Sequence, residues 1–276
     1  MRKCRIGTAK FFTLLLLLYR ISVKNSDIKQ YYTTQKSNEK VIYYTSKKTY
    51  NNVDNIKKHL SRYKLLLINR NVRAGSVTIQ EYDDFVANKK NISYVMIASA
   101  MKRGDYYCVS YARDEKMFNV PKIVCPQRST LNTFGYNDCE WYASADVYFI
   151  TEPKQEYKLK YILALLNSNL YYIWLYHEGK RKGESLELYQ KPLSEIPIIK
   201  ANNIVQEKFI NIVDDILNIT QSEDYINNSE KQDIVNKYQK QIDIMVYKLY
   251  NLTYDEVLVI DKDFSLSEEE YCKIQL

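Results

Sequence analysis

Apolar and polar positions cluster and alternate along this chain with several different periods, and each period predicts an element. Residues 24–50 are polar and tyrosine-rich, with VIYYT (Val41–Thr45) the one clear strand between Asn and Lys clusters that read as loops. NVDNIKKHLSRYKLLLINR then sets Ile56, Leu60, Tyr63, Leu67 and Ile68 near one helical face. Asp54 or Asn55 is the expected cap and basic residues lie opposite, so an amphipathic helix is predicted. SVTIQEY, ISYVMIASAM and DYYCVSY are β-branched and aromatic, which predicts short strands between Val77 and Tyr111. KIVC and DVYFIT read as further strands, joined by the polar connection PQRSTLNTFGYND with its lone Arg128.

The second half is denser. Leu159 to Tyr176, LKYILALLNSNLYYIWLY, is too apolar for an exposed face and predicts a buried helix of about twelve residues or more, core rather than a platform for stacked bases. HEGKRKGESLELYQKPLSEIPII follows, two glycines around a basic triplet and then two prolines, which reads as an ordered surface loop before a strand-like ending. From Ala201 the period is helical through Phe209, Ile212, Val213, Ile216 and Leu217. A polar break at Asn227 and Asn228 comes next, and then a helix from Ile234 to Tyr250. Thr253 and Glu256 have capping-box spacing, so a new helix starts just after Leu252. The expected fold class is α+β: a mixed small-sheet domain over 24–200, a helical C-terminal subdomain over 201–276, and a degenerate segment over 1–23.

Composition narrows the chemistry. The formal charge is +7 over 276 residues, which leans toward an anionic partner such as nucleic acid, although Lys, Asn, Ile and Tyr also share AT-rich codons. Cys4, Cys108, Cys125, Cys139 and Cys272 contain no CxxC pair, which argues against zinc or a disulfide framework. His59 and His177 read as surface or packing residues rather than catalytic ones. The apolar run from Phe11 to Tyr19 is shorter than the ~20 residues a bilayer needs, and no small-residue cleavage site follows it. It reads as a buried strand or helix, or as a start inside a longer ancestral frame. Pro121, Pro126, Pro153, Pro192 and Pro197 are never adjacent and no G-x-G occurs. Both the NPPY-like loop and the cofactor loop of an adenine-methylating enzyme are therefore missing, and so is a P-loop. Asp138 or Asp146 with Glu152 and Lys154, or Asp105 with Asp114 and Lys116, have the spacing of a nuclease metal site, a weak signal in a Lys-rich chain.

Five blocks read together carry a resemblance: KNSDIKQYY, NIKKHLSRYKLLLINR, the stretch Val120 to Thr151, LALLNSNLYYIWLYHEGKRKGESLELYQKPLSEIPI, and IDIMVYKLYNLTYDEV. In that order, from Lys24 to Val257, they resemble the TaqI-like C-terminal specificity (target recognition) domain of type IIG restriction-modification enzymes and adenine-specific DNA methyltransferases. Two departures stand out. The catalytic methyltransferase half of that family is missing, and the text between Arg70 and Arg103 is longer than the pattern, as an insertion would make it.

The resemblance implies a sequence-specific reader of double-stranded DNA that directs an adenine-N6 methyltransferase domain or subunit and its associated endonuclease. It implies a cytoplasmic protein with no membrane partner. The resemblance implies that this chain alone carries no catalytic residue, cofactor or metal, and that S-adenosylmethionine and Mg are expected only in the catalytic portion. Within that frame Gln127, Arg128, Ser129 and Asn132 are the expected base contacts, because Arg forks onto guanine and Gln or Asn pairs with adenine. Lys122, Lys180, Arg181, Lys182 and Lys24 are the expected phosphate contacts, with Gly179 and Gly183 letting the backbone approach, although KNSD can equally be a capping turn. Two alternatives remain open: a fragment of the methyltransferase or endonuclease itself, and an inactive remnant whose helical end docks to another protein.

Overall fold

The structure, a computed structural model, describes residues 19–34, 40–43, 45, 53–64, 67, 108–109 and 112–276. The strands expected between Val77 and Tyr111, apart from Cys108 and Val109, lie outside the described residues, as do Asp105 and the apolar run before Tyr19. Two compact units make up the chain: Met1–Arg20 with Lys40–Asp114, and Ile21–Glu39 with Glu115–Leu276.

The second unit, from Ile21 onward, holds the last three residues of β1 (Tyr19–Val23), a 3-10 turn at Asn25–Asp27, and the hairpin of β2 (Ile28–Lys29) and β3 (Tyr32–Thr33). Tyr31 sits in the hairpin turn at φ 57, a backbone region that bulky residues avoid. It is held there by burial, by its amide donating to the Phe134 carbonyl at 2.8 Å, and by its hydroxyl donating to Gln239 at 2.6 Å. The first unit contributes β4 (Lys40–Ile42), which overlaps the expected VIYYT strand at Val41 and Ile42, and α1 (Val53–Leu60) followed by a 3-10 turn at Ser61–Tyr63. Ile56 of α1 is buried while Lys57 and Lys58 face solvent, as the period predicts. Asp54 lies inside the first turn rather than capping it. His59 packs edge-on against the Tyr63 ring.

The chain returns to the second unit through α2 (Lys116–Asn119), β5 (Lys122–Pro126), β6 (Arg128–Ser129), β7 (Gly135–Asn137), β8 (Tyr142–Ala143) and β9 (Val147–Thr151). All five residues of β5, Lys122 included, are buried because it is the middle strand of the antiparallel sheet β7-β5-β9 and is covered on both faces. The expected pair KIVC and DVYFIT is thus adjacent in space, with Ile123 opposite Ile150 and Val124 opposite Phe149. The connection between them is more than a loop, since β7 pairs with the other edge of β5. Gly135 is required there: a Cβ would stand 2.6 Å from the Tyr32 carbonyl oxygen of β3. On the second unit's side, Ser22 and Val23 of β1 run parallel to β8.

Leu159 to Tyr176 forms two helices rather than one, α3 (Leu159–Leu166) and α4 (Asn169–His177). Asn167 breaks the run by pairing its side-chain amide with both backbone groups of Phe134, at 3.0 and 2.9 Å, and Ser168 then caps α4. The core expectation holds, with Tyr161 to Leu166 buried. Next comes a β-hairpin, β10 (Arg181–Lys182) and β11 (Ser185–Glu187), where a loop was expected. The short helix α5 (Gln190–Glu195) precedes a strand-less IPII. Helices α6 (Asn203–Thr220), α7 (Ser229–Leu249), α8 (Tyr254–Ile260) and α9 (Glu268–Lys273) complete the α+β fold. The Thr253–Glu256 capping box forms as spaced. Phe209, Val213, Ile216 and Leu217 of α6 share one core with Ile123, Phe134, α3 and Leu186, so that core crosses the boundary expected at residue 200.

Candidate nucleic-acid interface

β6 and the hairpin β10–β11, remote in sequence, form one three-stranded antiparallel sheet in the order β10-β11-β6. Leu186 and Leu188 anchor it by pointing into the core, and alternation turns Glu187 to the opposite face. The backbone ties are the Leu188 amide to the Gln127 carbonyl at 2.8 Å, the Gln127 amide to Asp146 at 2.7 Å and the Glu187 amide to Lys180 at 2.7 Å. Glu187 stands directly across the ladder from Arg128, 59 positions away in the chain. The fold thereby brings Arg128, Lys180 and Lys182 onto the Glu187 face of this sheet, while Arg181, opposite Leu186, leaves from the other side at the hairpin edge.

The cations are held individually. Arg128 donates from Nε and Nη2 to Glu187 Oε1 at 3.1 and 3.0 Å, and Lys180 Nζ lies 3.4 Å from Glu187 Oε2. Burial acts to raise the Glu187 carboxyl, but the hydrogen bonds from Arg128 and Lys180 outweigh it and hold the group below its ordinary value. Lys180 also donates to the Tyr189 hydroxyl at 2.5 Å, and Tyr189 followed by Glu187 raises its ammonium above the usual range. The Arg181 guanidinium lies 3.9 Å over the Tyr176 ring. Lys182 is exposed beside the hairpin turn, where Gly183 takes φ +61. The sheet and its hairpin turn carry four cations against two carboxylates, Glu184 and Glu187, so the sheet is basic overall.

Beside the sheet lies a loop that its own side chains hold rigid. Ser129 and Thr133 share a hydroxyl hydrogen bond of 2.8 Å, and Thr133 donates to the Leu131 carbonyl at 3.2 Å. Asn132 points inward and donates to the Leu166 and Ser168 carbonyls at 2.7 and 2.8 Å, while Gln30 donates to its carbonyl at 2.9 Å. Leu131 is consequently turned outward, 54% exposed. A cavity of 570 Å³ opens here, lined in part by Asn25, Lys29, Gln30, Arg128, Leu131 and Tyr225.

The expected site residues therefore separate. Arg128, Lys180, Arg181 and Lys182 come together on the surface, and Gln127 is half-buried beside them. The Ser129 hydroxyl is engaged within its loop. Lys24 is exposed at the edge of the cavity's Asn25 wall, and its amide donates to Asp27 at 2.8 Å, so KNSD is a capping turn.

Two expectations are corrected. Asn132 is 3% exposed and is a joint of the fold rather than a group offered to a base. Lys122 is 0% exposed, so it cannot reach a phosphate; its ammonium donates to the Phe118, Val120 and Cys139 carbonyls at 3.0, 3.2 and 2.7 Å. Burial lowers that ammonium to about 8, against the pull of Cys139 and Asp138.

The glycines also act differently from the expectation. Gly179 ends α4, since a Cβ there would meet the Leu175 carbonyl oxygen at 2.3 Å, and Gly183 makes the hairpin turn. Glu187 and Leu131 were not legible as site residues. The alternation in SLEL and the lone apolar residue in a polar loop were the only signals.

Asp146 is engaged by Ser144 and by Asn25, and among the described residues no cluster of three or more His, Cys, Asp or Glu is placed to hold a metal ion. Among the same residues no helix is long and apolar enough to cross a membrane.

Comparison with known proteins defines the class. The profile of the TaqI-like C-terminal specificity domain matches residues 58–198, which include the whole β10-β11-β6 sheet and its loop. The chain belongs to the TaqI-like C-terminal specificity domain family. It is similar to the type II methyltransferase M.HincII of Haemophilus influenzae, 27% identical over 172 residues that cover 58% of this chain and 33% of that protein. It is also similar to the type II methyltransferase M.MjaIV of Methanocaldococcus jannaschii, 33% identical over 112 residues, 40% of this chain and 37% of that protein. A third relative, the type II methyltransferase M.HindII of Haemophilus influenzae, is 30% identical over 116 residues, 40% of this chain and 21% of that protein. The chain thus spans little more than a third of the length of these relatives at most.

Proposed function

We propose that this chain is the DNA-reading module of a type II restriction-modification system of the type IIG kind, directing an adenine-N6 methyltransferase domain or subunit to its target. One observation supports the reading: the two cation sets picked out in the sequence for DNA contact meet in one small sheet inside the family match, with Arg128, Lys180 and Lys182 on its Glu187 face and Arg181 at the hairpin edge. In this account Arg128 reaches a guanine in the major groove, with Gln127 beside it. Lys180, Arg181 and Lys182, with Lys24 nearby, neutralise phosphates and fix the register. Methyl transfer with its S-adenosylmethionine, and any DNA cleavage with its Mg, belong to the catalytic portion and not to these residues.

The test is the salt dependence of duplex binding by the full chain. Each phosphate neutralised contributes about 0.9 to the slope of log affinity against log salt, so replacing Lys180, Arg181 and Lys182 by alanine should lower that slope by roughly 2 to 3 and weaken all sequences alike. Affinity insensitive to salt overturns the reading.

A further inference from the structure

An acid in the middle of a phosphate-binding face needs a reason. Glu187 is 7% exposed and sits on the central strand of the sheet, the strand closest to both cation sets. It opposes the attraction of every phosphate that approaches. Its ion pairs do not explain it either, because Arg128 and Lys180 are half exposed or more and such pairs contribute little to stability. What the carboxylate does control is direction. Both its oxygens are engaged, Oε1 by Arg128 and Oε2 by Lys180, so its plane is fixed.

A guanidinium has two edges that offer a parallel pair of N–H groups. Glu187 takes the Nε/Nη2 edge of Arg128, at 3.1 and 3.0 Å. The Nη1/Nη2 edge is not gripped as a pair by any of the described residues, and the side chain carrying it is 50% exposed. That edge still offers two parallel donors spaced for the O6 and N7 acceptors of guanine, so with Glu187 on the other edge it is the one left to meet a base. The pairing of Glu187 with Arg128 across a ladder, over buried Leu186 and Leu188, fixes this orientation before any ligand arrives.

Resting on the DNA-recognition reading above, we infer that Glu187 is a positioning residue for sequence choice: it grips one edge of Arg128 so that the other edge is presented to a guanine. Its contribution is to discrimination and not to affinity, and the two move in opposite directions when it is removed. Glu187→Ala lets the guanidinium swing toward any phosphate, so selectivity falls while binding to unrelated duplex is maintained or strengthened. A purely structural role would reduce both together.

The experiment takes the preferred duplex of the full wild-type chain, selected from a pool with a randomised centre. It then measures binding to that duplex, to one with a single guanine replaced, to one carrying 7-deazaguanine at that position, and to an unrelated duplex. Glu187→Ala should lose about ten-fold or more of the preference for the guanine duplex and bind the unrelated duplex at least as tightly as wild type. Glu187→Gln, which keeps an acceptor in the same place, should retain most of the preference. Adding Glu187→Ala to Arg128→Ala should produce no further loss. The 7-deazaguanine duplex should weaken wild type and leave Glu187→Ala unaffected. The inference is overturned if Glu187→Ala keeps the preference, or loses preferred and unrelated binding in equal proportion. A wild-type chain with no sequence preference overturns the recognition reading and this inference with it.

Discussion

Substituting Asn132 by alanine removes both amide donors from carbonyls that the fold has buried, those of Leu166 and Ser168 at the break between α3 and α4. Each such bond contributes about 0.5–1.5 kcal/mol net, so the pair is worth roughly 2 kcal/mol. The cost rises toward about 4 kcal/mol if water does not reach the vacated carbonyls. Ser168 O keeps its helical partner, the Tyr172 amide at 3.0 Å, and Gln30 keeps the Asn132 main-chain carbonyl, which restrains the loss. Against a total stability on the order of 5–15 kcal/mol the variant still folds at room temperature but unfolds at distinctly lower urea. Urea titration followed by the fluorescence of Trp141 and Trp174 reads this directly. Where the variant is folded, its base preference should match wild type. A variant as stable as wild type but altered in base preference refutes the assignment of Asn132 to the fold and returns it to the reading set.

Asp243 gives the molecule a pH dependence. Burial raises its carboxyl to about 7 in spite of hydrogen bonds from the Asn169 amide and Gln239. The folded state therefore holds a proton that the unfolded chain releases, and stability should fall as pH rises from about 4 toward 7. Between pH 5 and 7 the fall is about 2 kcal/mol, since one proton held only by the folded state is worth about 1.4 kcal/mol for each tenfold drop in proton concentration. Asp243→Asn should flatten urea midpoints over that range, and an unchanged slope contradicts the assignment. Leu131→Ala should leave stability within about 0.5 kcal/mol of wild type, since the side chain is exposed, yet reduce affinity for the preferred duplex several-fold. Replacing thymine by deoxyuridine at the contacted step should weaken wild type similarly and leave the variant unmoved. If Leu131→Ala binds the preferred duplex as wild type does, the outward leucine takes no part in reading.

What the sequence disclosed, and what it hid, follows the range of the interactions. KIVC and DVYFIT were readable as strands because both are short runs of β-branched and aromatic residues bounded by turn residues, and the Thr253–Glu256 box because all its partners lie within four residues. The break at Asn167 was not readable, since its partner Phe134 lies 33 positions away. The hairpin at 181–187 was hidden for the same reason: its strands are two and three residues long and it gains its third strand only from Arg128. Lys122 carried every outward sign of a surface cation. Only the convergence of three carbonyls from α2, its exit and the Cys139 turn made its burial possible. For the site, the cations were legible as charge in polar text. The carboxylate that aims one of them was not, because an acid among basic residues looks like ordinary surface balance until the ladder places it opposite Arg128.

The central claim is that the β10-β11-β6 face and the 129–133 loop lie against duplex DNA. Photocrosslinking the full chain to its preferred duplex substituted with 5-bromodeoxyuridine, then mapping the attached peptides by mass spectrometry, locates the contact directly. The account predicts attachment within 127–133 and 180–187, lost at raised salt. Attachment confined to the helices between Asn203 and Ile260, with those two segments untouched, contradicts it.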